Sequence, residues 1–335
     1  MTFKGHIIIL LLLGSVLLLH PIECSSSLLA FDGSTGSLSN VSPGNADKTI
    51  LDSYTDITIF EDGFIAVGSN GQIDRISTTG EINNCHRTPG ARLNCVLTIE
   101  NQIIAAGDSG NVLISNDCGE FSKINCGTDQ DINSLSWFNN MVIAGANRGE
   151  ILIGNDIGEL KRIHLNLKGD IVSLSGNATD CYGVTNTGEI IHSGDGKNWS
   201  IFDFNEAYKG FYKSCRFKKV LVSENQISII GIQDDGLPVM FYSSRGTVWT
   251  QRNLIYTDNE GVSSLLNDIP NDIFYDASQD RFILVCDNGK VMTIPGCTHC
   301  NKLFELGTEN LNCLARNENS LIVAGKNNYI KLINL

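Results

Sequence analysis

The chain has 335 residues, and 37 Asp and Glu against 24 Lys and Arg leave a formal net charge of −13. That acidity excludes a nucleic-acid partner, which needs a basic face, and it mainly keeps a protein soluble. The length is too great for one β-sandwich and suits one large repetitive β domain.

The first element is a leader. Lys4 precedes an apolar stretch over residues 7–19, broken only by Gly14-Ser15 and ended by His20-Pro21. Thirteen residues are too few for a membrane helix, which needs about 20. Residues 1–24 therefore read as a signal peptide cut near Cys24 or Ser26, with residues 25–335 as one secreted domain and no membrane span. Glu23 before Cys24 is wrong for lipidation. A secreted chain makes the three sequons, Asn40-Val-Ser, Asn177-Ala-Thr and Asn198-Trp-Ser, candidate N-glycosylation sites.

Beyond the leader the chain repeats. Residues 131–160 read as three short antiparallel strands: Ile132–Phe138, Met141–Ala146 and residues 151–154. Asn139-Asn140 and Asn147-Arg148-Gly149 turn between them, because Asn and Gly tolerate the left-handed backbone of tight turns. A small residue ends the second strand in FIAVGSNGQI (Gly68), IIAAGDSGNV (Gly107), MVIAGANRGEI (Gly145) and CYGVTNTGEI (Gly183). It recurs in ISIIGIQDDGLPV (Gly231), FILVCDNGKV (Cys286) and LIVAGKNNYI (Gly325). The spacings are 39, 38, 38, 48, 55 and 39 residues. A period near 40 with four-strand units is what a β-propeller blade requires, and seven anchors predict an all-β fold of seven four-stranded blades. The two long intervals place insertions around residues 205–219 and 252–271. The anchor glycines are expected where blades converge and backbones approach closely. The last repeat stops after its third strand, so residues 27–32 (SLLAFD) are predicted to supply the fourth and close the ring from both termini.

The third-to-fourth strand turns also recur, as Ser115-Asn-Asp117-Cys-Gly119-Glu-Phe121, Gly154-Asn-Asp156-Ile-Gly158-Glu-Leu160 and Ser193-Gly-Asp195-Gly196-Lys-Asn-Trp199. A fourth version, Ser243-Ser-Arg245-Gly246-Thr-Val-Trp249, has Arg in place of Asp. These turns resemble the Asp-box, S-x-D-x-G-x-x-W, of sialidase-like (BNR) propellers and of propellers like the photosystem II assembly factor. Each copy is one residue shorter than that pattern. The final repeat resembles a WD-repeat ending without its Trp-Asp dipeptide. The resemblance implies that Asp117, Asp156 and Asp195 are turn formers capping backbone N–H groups, with Trp199 and Trp249 packed beneath. It implies no active site, and the Arg-Ile-Pro signature of sialidases is absent.

Ten cysteines follow Cys24, an even number that favours disulfides outside the cell. Cys118 and Cys126 flank a hairpin they could staple, and Cys85 with Cys95 and Cys181 with Cys215 are candidate bridges between neighbouring blades. Cys297-Thr-His299-Cys300 follows a strand and Pro295-Gly296. It therefore reads as a disulfide in a turn rather than a redox or zinc motif. His86, His164, His192 and His299 share no metal-ligand spacing. No residue is assigned a catalytic, cofactor or metal role.

The expectation is a monomeric, non-enzymatic module that binds a protein or glycan on the face formed by the second-to-third strand turns. Those turns include Asp108-Ser109, Asn147-Arg148, Asn186-Thr187, Asp234-Asp235, Asp287-Asn288 and Asn327-Asn328. The alternatives are a sialidase-like glycoside hydrolase, which needs two facing carboxylates, and an extracellular structural component.

Overall fold

Short apolar runs punctuated by Asn, Asp and Gly give short strands and tight hairpins, and this chain builds almost nothing else. A computed structural model describes residues 52–258, 260–295 and 301–334. The expected signal peptide, the closing strand at 27–32, the Asn40 sequon and the 297–300 motif lie outside the described residues. Six sheets have four antiparallel strands each, in simple up-and-down order. Their innermost strands are Tyr54–Phe60, Leu93–Ile99, Ile132–Phe138, Ile171–Gly176, Cys215–Val222 and Pro270–Asp276. The seventh blade has three described strands, Leu311–Arg316, Ser320–Gly325 and Ile330–Asn334. Each inner strand lies against the next, and the seventh lies against the first, so the blades form a closed seven-bladed propeller. Both long intervals are insertions beside blade five. The first holds a one-turn helix, Phe204–Ala207, and the second a hairpin of Ile255–Thr257 with Ser263–Leu265.

The core lies between the blades. Among the described residues there are seven apolar clusters, each at one seam. Tyr54, Ile57 and Phe64 of blade one meet Ile322, Ile330 and Leu332 of blade seven. Second strands are covered on both faces and read as continuous apolar runs, as in Gly63–Gly68 and Met141–Ala146, where every residue is buried. Outer strands are mostly exposed, as in Lys161–His164. Each fully buried Ile or Phe contributes roughly 1.5–3 kcal/mol, so the seams supply most of the favourable burial.

Every inner strand enters its blade through a β-bulge. The register skips Thr55, Asn94, Asn133, Val172, Lys218, Asn271 and Asn312 in the seven blades. A bulge re-aims a side chain, and here it aims it at the next blade. Thr55 Oγ1 donates to Leu93 O (2.6 Å), Asn94 Nδ2 to Ile132 O (3.1 Å) and Asn133 Nδ2 to Ile171 O (2.9 Å). Asn271 Nδ2 donates to Leu311 O (2.8 Å), and Asn312 Nδ2 closes the circle on Tyr54 O (2.7 Å). Val172 has no group to donate, and Lys218 Nζ reaches Asn271 Oδ1 instead.

The same bulge explains most of the anchor glycines, and differently from expectation. In all seven blades the amide after the second strand donates to the carbonyl preceding the inner strand, as from Asp108 to Arg92 and Lys326 to Asn310. That carbonyl folds over the end of the second strand. A Cβ at Gly68, Gly107 or Gly325 would collide with the carbonyl oxygen of Ser53, Arg92 or Asn310. At these three glycines, and at Gly231, the close approach is thus within the blade; at Gly145 it is to Ile171 of the next blade, as expected. In blades three and four the residues paired with the inner strand's first residue are Ala146 and Thr185, so the anchors Gly145 and Gly183 sit slightly out of register.

At the opposite end of the strands, blades six and seven are pinned by a buried ion cluster. Asp276 is fully buried, accepts from Arg281 Nε at 3.1 Å and pairs with Arg316. Burial opposes ionisation of Asp276, but Ser278, Arg316 and Arg281 outweigh it and hold the carboxyl below its ordinary value. A depressed carboxylate contributes stability above its unfolded pKa, about 3.9, and that contribution is lost as pH falls further. Asp276→Asn should cost about 3 kcal/mol at pH 7, because two largely buried arginines lose their countercharge. Urea unfolding at pH 7 and pH 3 should show the variant and wild type converging at the lower pH.

Candidate functional site

The turn face is built on one template. The first turn residue is half-buried in Asp108, Asn147, Asn186 and Asp287, and the following glycine or its equivalent is largely enclosed. These first residues hold the bulge: Asn94 Nδ2 donates to Asp108 Oδ1 (3.0 Å) and Asn271 Nδ2 to Asp287 Oδ1 (2.8 Å). Residues ahead of the inner strands brace the neighbouring turn. Asp131 accepts from Ser109 N (2.8 Å), Asp170 from Arg148 N (3.0 Å) and Asn310 from Asn288 N (3.1 Å). Ser109, Arg148 and Asn288 take left-handed backbone, with φ of 54°, 57° and 56°, as two-residue hairpin turns require. The second residues Ser109, Arg148, Thr187, Asp235 and Asn288 are exposed. In blades two, three, four and six the template therefore fixes one side chain per turn and leaves the next to solvent, whereas in blade five Asp234 and Asp235 are both exposed; the exposed second residue differs in each of these five blades.

At the ring's centre the residue after each bulge is Asp56, Cys95, Ser134, Ser173, Lys219, Asp272 or Cys313. Four of these accept an inner-strand amide of the next blade: Asp56 from Val96 N (2.9 Å), Ser134 from Leu174 N (2.9 Å), Ser173 from Val220 N (3.2 Å) and Asp272 from Leu314 N (3.1 Å). Lys219 Nζ lies 3.1 Å from Asp272 Oδ1. Burial pushes Asp56 up. Burial alone would lower Lys219, but Asp272 and Asp56 hold it above its ordinary value. Burial, and then the charge of Asp56, push the Cys95 and Cys313 thiols well up. The centre is thus a cluster of Asp56, Asp272 and Lys219 beside two buried thiols that resist ionisation. Among the described residues no group of three or more His, Cys, Asp or Glu is placed to hold a metal ion.

The residues singled out in the sequence are dispersed rather than gathered. Asp117 Oδ1 accepts from Gly119 N (2.9 Å) and Asp156 Oδ1 from Gly158 N (2.8 Å). Asp195 takes the amides of Asn198 (2.7 Å) and Lys197 (2.8 Å), and those bonds, with that from the Asn198 side chain, hold its carboxyl well below the usual range. Trp249 is buried in the blade four–five cluster, and Trp199 packs against the blade three–four cluster, its Nε1 donating to Gly196 O. Trp137 is 39% exposed on its strand. Asn198 is exposed, whereas Asn177 is half-buried and donates to Ser223 O at 3.4 Å.

The cysteines pair differently from expectation. Cys85 is bonded to Cys118, tying the outer strand of blade one to a turn of blade two. Cys95, Cys126, Cys181 and Cys215 are free and buried. A disulfide needs Cα atoms about 4.4–6.8 Å apart. Cys95 is on an inner strand and Cys85 on an outer one; Cys118 and Cys126 lie at opposite ends of the strand Ser122–Asn125; Cys181 begins a second strand at one face and Cys215 an inner strand at the other. The bulge asparagines were not foreseen. Their signal was present in Leu93-Asn94-Cys95, Ile132-Asn133-Ser134, Pro270-Asn271-Asp272 and Leu311-Asn312-Cys313, in four of the seven repeats.

No family model matches the chain, and no curated protein matches it. Solved structures do. YCF48 from Cyanidioschyzon merolae aligns with a TM-score of 0.62 at 14% identity, over 84% of this chain and 95% of that one. YCF48 bound to D1 peptide gives 0.65 at 14% identity, over 85% and 92%. The WD40 β-propeller domain of Doa1 gives 0.65 at 13% identity, over 84% and 93%. At such identities the likeness establishes the propeller fold, in line with both resemblances noted in the repeats.

Burial pushes the Cys181 and Cys215 thiols up to about 12, and the thiolate is the reactive form. Iodoacetamide at pH 8 should leave both unlabelled in the native protein and label both in guanidinium, as read by peptide mass mapping. Rapid native labelling of either would contradict the packing.

Proposed function

We propose that this chain is a secreted, non-enzymatic binding module that holds an extended segment of a partner protein on its turn face. The observation that carries this reading is the division of labour within the turns. Glycine and the first residue maintain the blade, while Ser109, Arg148, Thr187, Asp235 and Asn288 stand exposed on successive blades. A rigid frame with variable polar tips is suited to recognition, since function concentrates on loops positioned by a scaffold. The turn pairs carry no aromatic side chain, which favours a peptide's hydrogen-bonding groups over the apolar ring faces of a sugar on this side. Asp108, Asp131, Asp170, Asp234 and Asp287 ring the same face, so a segment bearing Lys or Arg is favoured. A propeller of similar fold, YCF48, has been solved with a peptide bound, which supports a peptide as the ligand class. Among the described residues no helix is long and apolar enough to cross a membrane.

Peptide arrays grading from basic to acidic test this directly. Basic peptides should bind, more weakly with added salt. Alanine at Ser109, Thr187 and Asp235 together should weaken the best peptide by about tenfold or more without changing thermal stability appreciably. Failure of every peptide, or binding indifferent to the triple variant, would remove the turn face as the site.

A further inference from the structure

The seams of the ring are not equal at the face opposite the turns. Between blades four and five, Val222 N donates to Ser175 Oγ (3.0 Å) and Asn177 Nδ2 to Ser223 O. Between six and seven, Arg316 is paired with buried Asp276. Between seven and one, Asn317 Nδ2 donates to Asp62 O (3.0 Å), and between one and two Thr98 Oγ1 donates to Ile59 O (2.8 Å). In the five–six seam the inner strands are joined near the turn face, through Lys218 with Asn271 and Lys219 with Asp272, and the insertion hairpin meets blade six's outer strand, where Asn301 Nδ2 donates to Ile255 O (2.6 Å). The amide that would cross between the inner strands, Ile273 N, is taken by its own neighbour Asp272 (2.9 Å). Below that point the blades part around a cavity of about 720 Å³, within the size range of small-molecule sites, about 300–1,000 Å³.

The lining has a definite chemistry. Phe274, Tyr275 and Phe282 supply aromatic surface, with the Tyr275 and Phe282 rings 5.0 Å apart and tilted by 43°. Glu224 and Asn225 come from the blade five hairpin and Asp280 from the blade six hairpin, and all three are exposed to solvent. Asp280 Oδ1 accepts from the Tyr275 hydroxyl at 2.7 Å, which fixes the ring. A wholly apolar ligand would strip water from the two carboxylates without replacing its hydrogen bonds. An anion would meet both of them, against the single guanidinium of Arg252 in the lining. A neutral sugar satisfies each surface at once: its C–H faces stack on aromatic rings, and its hydroxyls donate to carboxylates and exchange bonds with amides.

We propose that the cleft between blades five and six is a binding site for a neutral saccharide, with Tyr275 and Phe282 as the stacking floor and Glu224, Asn225 and Asp280 as hydroxyl partners. This site is separate from the turn face and does not depend on the peptide reading, because it lies at the other end of the strands.

Saturation-transfer NMR on the purified full chain tests it with six probes: N-acetylglucosamine, chitobiose, galactose, lactose, mannose and maltose, each at about 5 mM, a concentration that reveals millimolar binding. At least one should receive saturation. Tyr275→Ala should abolish the signal, and Glu224→Gln, an exposed change that leaves folding alone, should weaken binding by roughly fivefold. Trp137→Ala, an exposed aromatic elsewhere, should leave it unchanged. Silence from all six probes overturns the proposal, as does a signal that survives both Tyr275→Ala and Glu224→Gln. Loss in Trp137→Ala would place the sugar elsewhere and also overturn it.

Discussion

A side chain lifted out of register by a bulge, donating to the backbone of the neighbouring blade, is the constraint on which this ring depends. A propeller must space several independent sheets around one axis, and apolar burial alone is non-directional. The bonds from Thr55, Asn94, Asn133, Asn271 and Asn312 supply the missing direction. Each is short in reach and lands on a carbonyl at a fixed place in the next blade. One of them joins the last blade to the first, so closure uses the same device as every other seam. The bulge has a second consequence within the blade, where the displaced carbonyl covers the second strand's end and leaves no space for a Cβ at Gly68, Gly107 or Gly325.

The irregular seams are where the molecule becomes particular. Val172 and Lys218 replace the donor at blades four and five, and both insertions flank blade five. There an aromatic cluster of Phe204, Tyr208, Tyr212, Phe217 and Phe241 fills the four–five seam. On the other side of blade five the lysines turn the bonding toward Asn271 and Asp272, and the far end of the seam opens. Departures from a repeat thus coincide with the features that a repeat alone would not require.

The blade count, the strand positions in the repeats and both insertions were legible in the sequence, because turn residues and small strand-end residues are read from single positions with a fixed period. The carboxylates of Asp117, Asp156 and Asp195 act on backbone two or three residues away, and such local bonds are visible in a motif. Disulfide partners were not legible. Cys85 and Cys118 are 33 residues apart and meet only because two blades lie side by side, whereas nearness along the chain suggested Cys118 with Cys126. The bulge asparagines repeat as clearly as the glycines, but a polar residue in a strand carries no distinctive signature until its partner blade is known. The five–six cleft lies furthest from sequence, since it arises from how two whole blades part, which no local pattern records.

Both proposed binding surfaces presuppose a ring that is closed. Hydrogen–deuterium exchange resolved by peptide tests that most directly, since the inner-strand amides of Val96, Leu174 and Leu314 are each bonded across a seam. The closed ring predicts that Leu314 in blade seven and the strands of blade one exchange as slowly as Leu174 in blade four, in one cooperative unit. Exchange of blades one and seven well ahead of blades three and four would mean that the ends are unjoined, and would contradict the account.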